Sequence, residues 1–288
     1  MGTTGPTDGV LLVDKPAGMT SHDVVAIVRR ASGERRIGHA GTLDPFATGL
    51  LVLLLGRATR LLPYLAGDPK VYEATVRFGH ETTTDDATGQ PTNHASQPHL
   101  SVVEKSILEL TGLLTQVPPA YSAKQIAGRR AYDAARAGAP LDLPAAPVTV
   151  YGWMVGSWDG TTLHATIRCS GGTYIRALAR DLGRACGSAA HLSALRRTAS
   201  GPFVVADAVT LDAVRAGDLP LRSPVDSLDG CAPEVIDATA IARVVRGMPV
   251  AASAPGARGA LLDADRQLVA IAEREGDLWQ PRVVLRDA

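Results

Sequence analysis

The chain has 288 residues, 45% of them hydrophobic and 20% charged, with 29 basic and 29 acidic residues and a formal net charge of zero. This composition excludes a disordered chain, and the length allows one large domain plus a small one with a full core. A neutral balance also removes the global basic excess typical of nucleic-acid binders, so support for phosphate recognition has to come from local clusters.

No apolar run approaches a bilayer-spanning length; residues 50–55 are far too short. Residues 1–8 are small and polar and lack the basic and apolar regions of a signal peptide. Cys169, Cys186 and Cys231 are widely separated, with no C-x-x-C. That usage predicts reduced, buried thiols in a cytoplasmic protein, not disulfides or zinc.

In chain order, residues 9–14 read as a short buried strand, and Lys15-Pro16-Ala17-Gly18 as a turn. Thr20, Ser21 and Asp23 are N-cap candidates for a helix with Val24, Ile27, Val28 and Ala31 on its apolar face, ended by Gly33. Residues 38–51 (GHAGTLDPFATGLL) carry one carboxylate, Asp44, and one imidazole, His39, among glycines and a proline. They display Asp44 on a constrained loop. The run 50–55 behind it lacks alternation, which predicts a strand covered on both faces. Residues 57–65 read as a short helix. Residues 70–78 alternate, with Tyr72, Ala74, Val76 and Phe78 on one face. Residues 81–98 read as a polar loop with Asp85-Asp86 in a solvated turn. Ser101 and Glu104 read as the capping box of the next helix.

Pro118-Pro119 impose an extended entry into residues 116–138. There Tyr121-Ser122-Ala123-Lys124 and Gly128-Arg129-Arg130 precede an alanine-rich helical stretch. Residues 148–155 and 163–169 form a hairpin around Asp159-Gly160. Ser170-Gly171-Gly172-Thr173 leads into a helix with the stripe Ile175, Leu178, Ala179 and Leu182. Arg176, Arg180 and Arg184 follow at i, i+4 on a neighbouring face. Arg176 stands on the first turn, against the helix dipole, which points to a specific partner. Arg168, Arg176, Arg180, Arg184, Arg196 and Arg197 face only Asp181 in that stretch, a local basic patch. Arg29, Arg30, Arg35 and Arg36, tempered by Glu34, form a second. A Pro- and Asp-punctuated stretch at 221–233 reads as a domain boundary. Beyond it, residues 239–245 read as a helix, and 260–262, 268–273 and 282–285 as strands of a small β-rich module.

Phosphate-loop, dinucleotide-binding and nucleophile-elbow motifs are absent, and the seven histidines show no metal spacing. What remains is a loop-borne carboxylate, aromatic residues at element starts, and arginines. A single carboxylate without a metal serves as nucleophile or base only while ionised. Burial alone raises its pKa and an adjacent arginine reverses that, so Arg176 is the candidate partner of Asp44.

Four blocks together resemble the bacterial tRNA pseudouridine-55 synthase family of the B type: residues 9–25 (GVLLVDKPAGMTSHDVV), 38–60 (GHAGTLDPFATGLLVLLLGRATR), 116–138 (QVPPAYSAKQIAGRRAYDAARAG) and 168–197 (RCSGGTYIRALARDLGRACGSAAHLSALRR). All four stand in the family's order. The resemblance implies an α+β pseudouridine-synthase fold, a largely antiparallel mixed sheet flanked by helices and loops. Residues 1–228 would be the catalytic domain, with an RNA-gripping insertion at about 116–147. Residues 229–288 would be a small PUA-like RNA-binding domain.

The implied activity is isomerisation of uridine-55 in the T loop of tRNA to pseudouridine, with no cofactor, no metal and no protein partner, by a cytoplasmic monomer. Asp44 would be the essential catalytic residue, whether it attacks the sugar, adds to the base or removes a sugar proton. Arg176 would hold it charged and oriented. The uridine has to leave its stack. His39 would fill the vacated space, Tyr72 would stack on the flipped uracil and help remove the C5 proton, and Tyr174 and Leu195 would line the pocket. Lys15, with Pro16, would support the pocket floor. The chain departs from the family at Gln125, where a lysine is usual; Lys124 stands one position earlier. The C-terminal module carries seven arginines against eight acids over residues 231–288, so its formal charge is −1. An RNA-binding or tRNA-folding protein with secondary catalysis is the second reading, which the set Asp44, Tyr72 and Arg176 disfavours. A metal-free hydrolase is the third, disfavoured by the lack of a second matched carboxylate.

Overall fold

The computed structural model describes residues 8–286 except 123, 127 and 140. Residues 1–7 of the stretch read as lacking a signal peptide, and Ala123 of the 121–124 motif, lie outside the described residues, as does the side chain of Gln125. Contacts divide the chain into two compact units, one of residues 1–45, 49–67 and 201–288, the other of 46–48 and 68–200. The architecture is α+β.

In the first unit the strand Gly9–Lys15 runs antiparallel to Thr48–Leu55 and parallel to Val209–Thr210. Ile37–His39 adds to the far side of Leu53–Leu55. Val10, Leu12, Leu50 and Val52 share one face and pack with Phe203. Leu54 on that face packs with Ala58 and Leu61 and with Ala260, Leu262, Ile271 and Val283 of the C-terminal strands. Leu11, Val13, Leu51, Leu53 and Leu55 on the opposite face are equally buried. That two-sided burial explains the unbroken apolar run, each leucine contributing about 1.5–3 kcal/mol.

The helix Ser21–Ser32 starts with a full capping box between Thr20 and Asp23. It ends at Gly33, whose φ of 72° is open to glycine at little cost. The segment expected as an ordinary short helix is instead a 3-10 helix, Gly56–Tyr64. Thr59 donates to the Gly56 carbonyl at 2.7 Å, and Pro63 has no N–H to give, so the α pattern loses bonds at both places.

The C-terminal strands lie in the order Cys231–Val235, Arg258–Leu262, Leu268–Glu275, Leu278–Val284, Val250–Ala251. Trp279, fully buried, centres their core with Ile236, Val244, Leu261 and Val269. Its indole N–H donates to Glu234 at 2.6 Å. The first and last of these strands carry too little pattern to be read from sequence.

In the second unit five antiparallel strands lie in the order Ala190–Ser200, Lys70–Phe78, Thr162–Cys169, Ala146–Trp158, Gly112–Gln116. Tyr72, Ala74, Val76 and Phe78 are buried, as alternation predicts. The polar stretch after them is more ordered than expected. His80–Thr82 pairs with Pro91–His94, and Asp86 Oδ1 gathers the Thr84 hydroxyl, the Thr88 hydroxyl and the Thr88 N–H. The next helix is Leu100–Glu109, N-capped by His99 with no side-chain cap bond, so Ser101 lies inside it and the expected capping box does not form. In the insertion, Gln125–Ile126 pairs with Arg129–Arg130 ahead of the short helix Ala131–Arg136. All three cysteines are free; Cys169 is buried as expected, whereas Cys186 and Cys231 are only partly so. No helix among the described residues is long and apolar enough to cross a membrane.

The helix Ile175–Ala185 approaches the Ala190–Ser200 strand through Gly183. A Cβ there would lie 2.8 Å from the Ala189 carbonyl carbon. Gly183→Ala should therefore cost roughly 3 kcal/mol in urea unfolding, at the upper end for overpacking. Wild-type stability would show that helix and strand can separate freely.

Candidate active site

Lys15, His39 and Asp44 belong to the first unit, and Tyr72, Tyr174, Arg176 and Leu195 to the second.

In the first unit Asp44 is half-buried between two tethered neighbours. Leu43, 3% exposed, is held by Ser21, whose hydroxyl accepts its N–H at 2.9 Å and donates to its carbonyl at 3.2 Å. The Pro45 carbonyl accepts the Gly18 N–H at 2.8 Å and the Lys15 ammonium at 3.3 Å. Lys15 is the last residue of its strand and fully buried. Its ammonium also donates to the carbonyls of Pro16 at 2.9 Å and Met19 at 2.7 Å. Gly41, at φ 98°, and Gly49, at φ 100°, bracket the loop in backbone conformations that suit glycine. His39 ends the strand Ile37–His39 and stands edge-on to His22, with ring centroids 5.7 Å apart.

In the second unit Tyr72, 6% exposed, is paired in register with Ile167 on one side and Arg197 on the other. Leu195, 8% exposed, lies opposite Ala74. Tyr174 is the N-cap of the helix Ile175–Ala185. The buried Gln116 amide clamps it, accepting its N–H at 2.8 Å and donating to its carbonyl at 3.1 Å. A cavity of about 260 Å³ beside Tyr174 is lined by Gln116, Pro118, Lys124, Pro147, Val148 and Gly172.

Arg176 is buried and donates through Nη1 to the Thr84 carbonyl at 2.9 Å and through Nη2 to the Tyr121 carbonyl at 2.8 Å. Asp86 Oδ2 lies 3.6 Å from Nη1. One and two turns on, Arg180 pairs with Asp85 at 2.9 Å, and Arg184 grips Glu81 at 2.7 and 2.9 Å. Asp85 and Asp86 are thus buried partners of the helix, which overturns the solvated turn read from sequence. The local basic patch is corrected with it. These arginines look unopposed in their own stretch because their acids come from residues 81–86, about a hundred positions upstream. Asp85 takes φ 60°, which an aspartate tolerates, and faces Arg180 from there. Burial pushes its carboxyl above the ordinary value, with Arg180 and Arg176 pulling it back. Arg168, a fourth member, lies over the Tyr151 ring at 5.0 Å. Sequence reading missed Gln116 and Thr84 as supports and took Ser21 only for a cap; nothing local marks any of the three.

The profile of the TruB family pseudouridylate synthase N-terminal domain matches residues 29–175, and that of the tRNA pseudouridylate synthase B C-terminal domain matches residues 176–228. The chain belongs to the TruB family of pseudouridylate synthases. A family member from Thermobifida fusca, tRNA pseudouridine synthase B, is 46% identical over 96% of this chain and 98% of its own. The Mycobacteroides abscessus protein of the same name is 42% identical over 97% of each. Among solved structures, an H/ACA RNP bound to a substrate RNA containing 2'-deoxyuridine aligns with a TM-score of 0.71 at 23% identity, over 97% of this chain and 86% of that one. A Cbf5-Nop10-Gar1 complex aligns at 0.72 and 24%, over 98% and 86%. Both show the fold, which is that of a pseudouridine synthase of the TruB type.

The Arg184 hydrogen bonds hold the Glu81 carboxyl below its ordinary value of 4.5, against an upward push from burial. A carboxyl lowered in the folded state stabilises above its unfolded pKa and loses that contribution as pH falls through the folded one. Glu81→Gln should therefore cost about 1 kcal/mol at pH 7, and the gap to wild type should close on acidification below the ordinary glutamate range. A gap constant down to pH 3 in urea unfolding would rule out the ion pair as its source.

Proposed function

We propose that the chain converts uridine-55 in the T loop of tRNA to pseudouridine. The observation that carries this reading is the family match, continuous over residues 29–228, together with near full-length identity to proteins named tRNA pseudouridine synthase B. The reaction breaks the bond between C1′ of the ribose and N1 of uracil, turns the base and joins C5 to C1′. The C5 proton is lost and N1 ends protonated, so nothing is added or removed overall.

In this reading Asp44 supplies the ionised carboxylate and Arg176 the cation that keeps it so. The tethers on Leu43 and Pro45 support the role, because a carboxylate fixed by its neighbours loses little freedom on engaging a ribose. His39 fills the stack that the flipped nucleotide leaves. Tyr72 stacks on the uracil, and Tyr174 and Leu195 line its pocket. Lys15 supports the floor through its carbonyl contacts. The insertion at 116–147 and a PUA-like domain at 229–288 hold the RNA, and the enzyme works in the cytoplasm without a cofactor.

Pseudouridine mapping on tRNA transcripts tests the reading. Wild type should modify the T loop, whereas Asp44→Ala should form no product while still binding tRNA. Full activity in that variant would sink the assignment, and product at another site would keep the chemistry and change the substrate. Arg176→Lys should fall at least about 100-fold in kcat/KM, since one ammonium cannot reach the two carbonyls that the separate guanidinium nitrogens reach. Near-normal turnover would remove Arg176 from the site.

A further inference from the structure

Lys70 opens the strand Lys70–Phe78, two residues before Tyr72 and on the same face. Its register partners are Cys169 and Ser200. The side chain is partly buried, yet among the described residues its ammonium makes no hydrogen bond or ion pair. The nearby Asp68 carboxylate is engaged elsewhere, accepting the Gly171 N–H at 2.5 Å. A second cation, the fully buried Arg197, stands on the adjacent strand opposite Tyr72. Burial and Arg197 push the Lys70 ammonium below its ordinary value, and Asp68 and Cys169 pull it back.

The Gly171–Gly172 loop lies beside this ammonium, with no side chain of its own over it. A Cβ on Gly171 would lie 3.2 Å from Asp68 Oδ1 and 3.8 Å from Lys70 Nζ. Gly172 takes φ 82° and has nothing within 4 Å of where its Cβ would be. The same loop continues to Tyr174 and Arg176, two and four residues on. An ammonium drawn from water beside another cation is unfavourable until an anion arrives. In RNA the anions on offer are backbone phosphates.

We propose that Lys70 binds a backbone phosphate of the substrate RNA at the Gly171–Gly172 loop. The proposal rests on the RNA-modifying reading above. It assigns to Lys70 a binding role: it places the strand carrying Tyr72 against one particular phosphate.

The test uses the full chain with Lys70→Gln, Lys70→Met and Lys70→Arg, and a tRNA transcript titrated at several salt concentrations. Loss of one phosphate contact should raise Kd roughly 10-fold at low salt for Gln and Met, and flatten the plot of log Kd against log salt by about 0.7–1. Arg should retain both values, and the loss should fall in kcat/KM more than in kcat at saturating RNA. Single methylphosphonates placed through the T arm then locate the partner. At one position wild type should lose about as much as Lys70→Gln does, and the variant should lose nothing further. Wild-type Kd and slope in both neutral variants would overturn the proposal, as would a scan in which every neutralised phosphate hurts variant and wild type equally. A fall in kcat with Kd unchanged would also overturn it, by pointing to proton transfer. Thermal unfolding identifies a misfolded variant, and the remaining neutral one then carries the comparison. If wild type forms no pseudouridine in the transcript, the functional reading falls and this proposal with it; if wild type forms it and the variants bind normally, only the Lys70 site falls.

Discussion

Buried guanidinium groups need acids, and in this chain that need organises the second unit. Arg176, Arg180 and Arg184 occupy one line of the helix Ile175–Ala185, and Asp86, Asp85 and Glu81 meet them from a single turn-rich segment. In the two buried pairs, Arg176–Asp86 and Arg180–Asp85, removing one member would strand its partner's charge away from water, which costs far more than the pair contributes when intact; Arg184 is exposed and its pair is worth less. The helix and the 80–94 hairpin are therefore specified together. The helix start, where Tyr174 and Arg176 sit, inherits its position from ion pairs one and two turns away. Gln116 adds a neutral clamp on the Tyr174 backbone.

The Asp44 segment is fixed by a different means. No charge pairing is needed to locate its backbone, because the tethers are a hydroxyl on Leu43 and an ammonium and an amide on the Pro45 carbonyl. The ammonium of the buried Lys15 donates to three carbonyl oxygens, those of Pro16, Met19 and Pro45. Such an arrangement holds the main chain on either side of the one acid of the loop in place. Behind it, Leu50 to Leu55 form a strand with no exposed face, so the loop cannot relax by shifting the strand that follows.

Much of this was legible in the residues. The buried strands at 9–15 and 48–55, the alternation at 70–78, the hairpin at 159–160 and the stripe of the 175–185 helix all follow from periodicity and turn chemistry. Asp44 stood out because a charge among glycines ahead of an apolar run is rarely idle. What could not be read shares one physical character, long-range compensation. Asp85 and Asp86 look like a wet turn until the arginines about ninety residues later are brought to them. The 3-10 geometry of Gly56–Tyr64 depends on a threonine hydroxyl capturing a carbonyl, which propensity does not register. The short strands Cys231–Val235 and Val250–Ala251 form because neighbours offer open edges.

The parallel pairing of Gly9–Lys15 with Val209–Thr210 has a consequence for how the molecule is made. Residues 68–200 are continuous in sequence and contain five strands that pair with one another in turn, so they can close as a unit soon after leaving the ribosome. The segment bearing Asp44 cannot do the same. Leu54 packs against Ile271, and Val10 exchanges backbone hydrogen bonds with Arg222, so the first unit waits for the last third of translation. Its loop closures are long and correspondingly slow. During that interval the uncharged apolar run Leu50 to Leu55 is an aggregation hazard, and the earliest-made part of the protein is among the last to be finished.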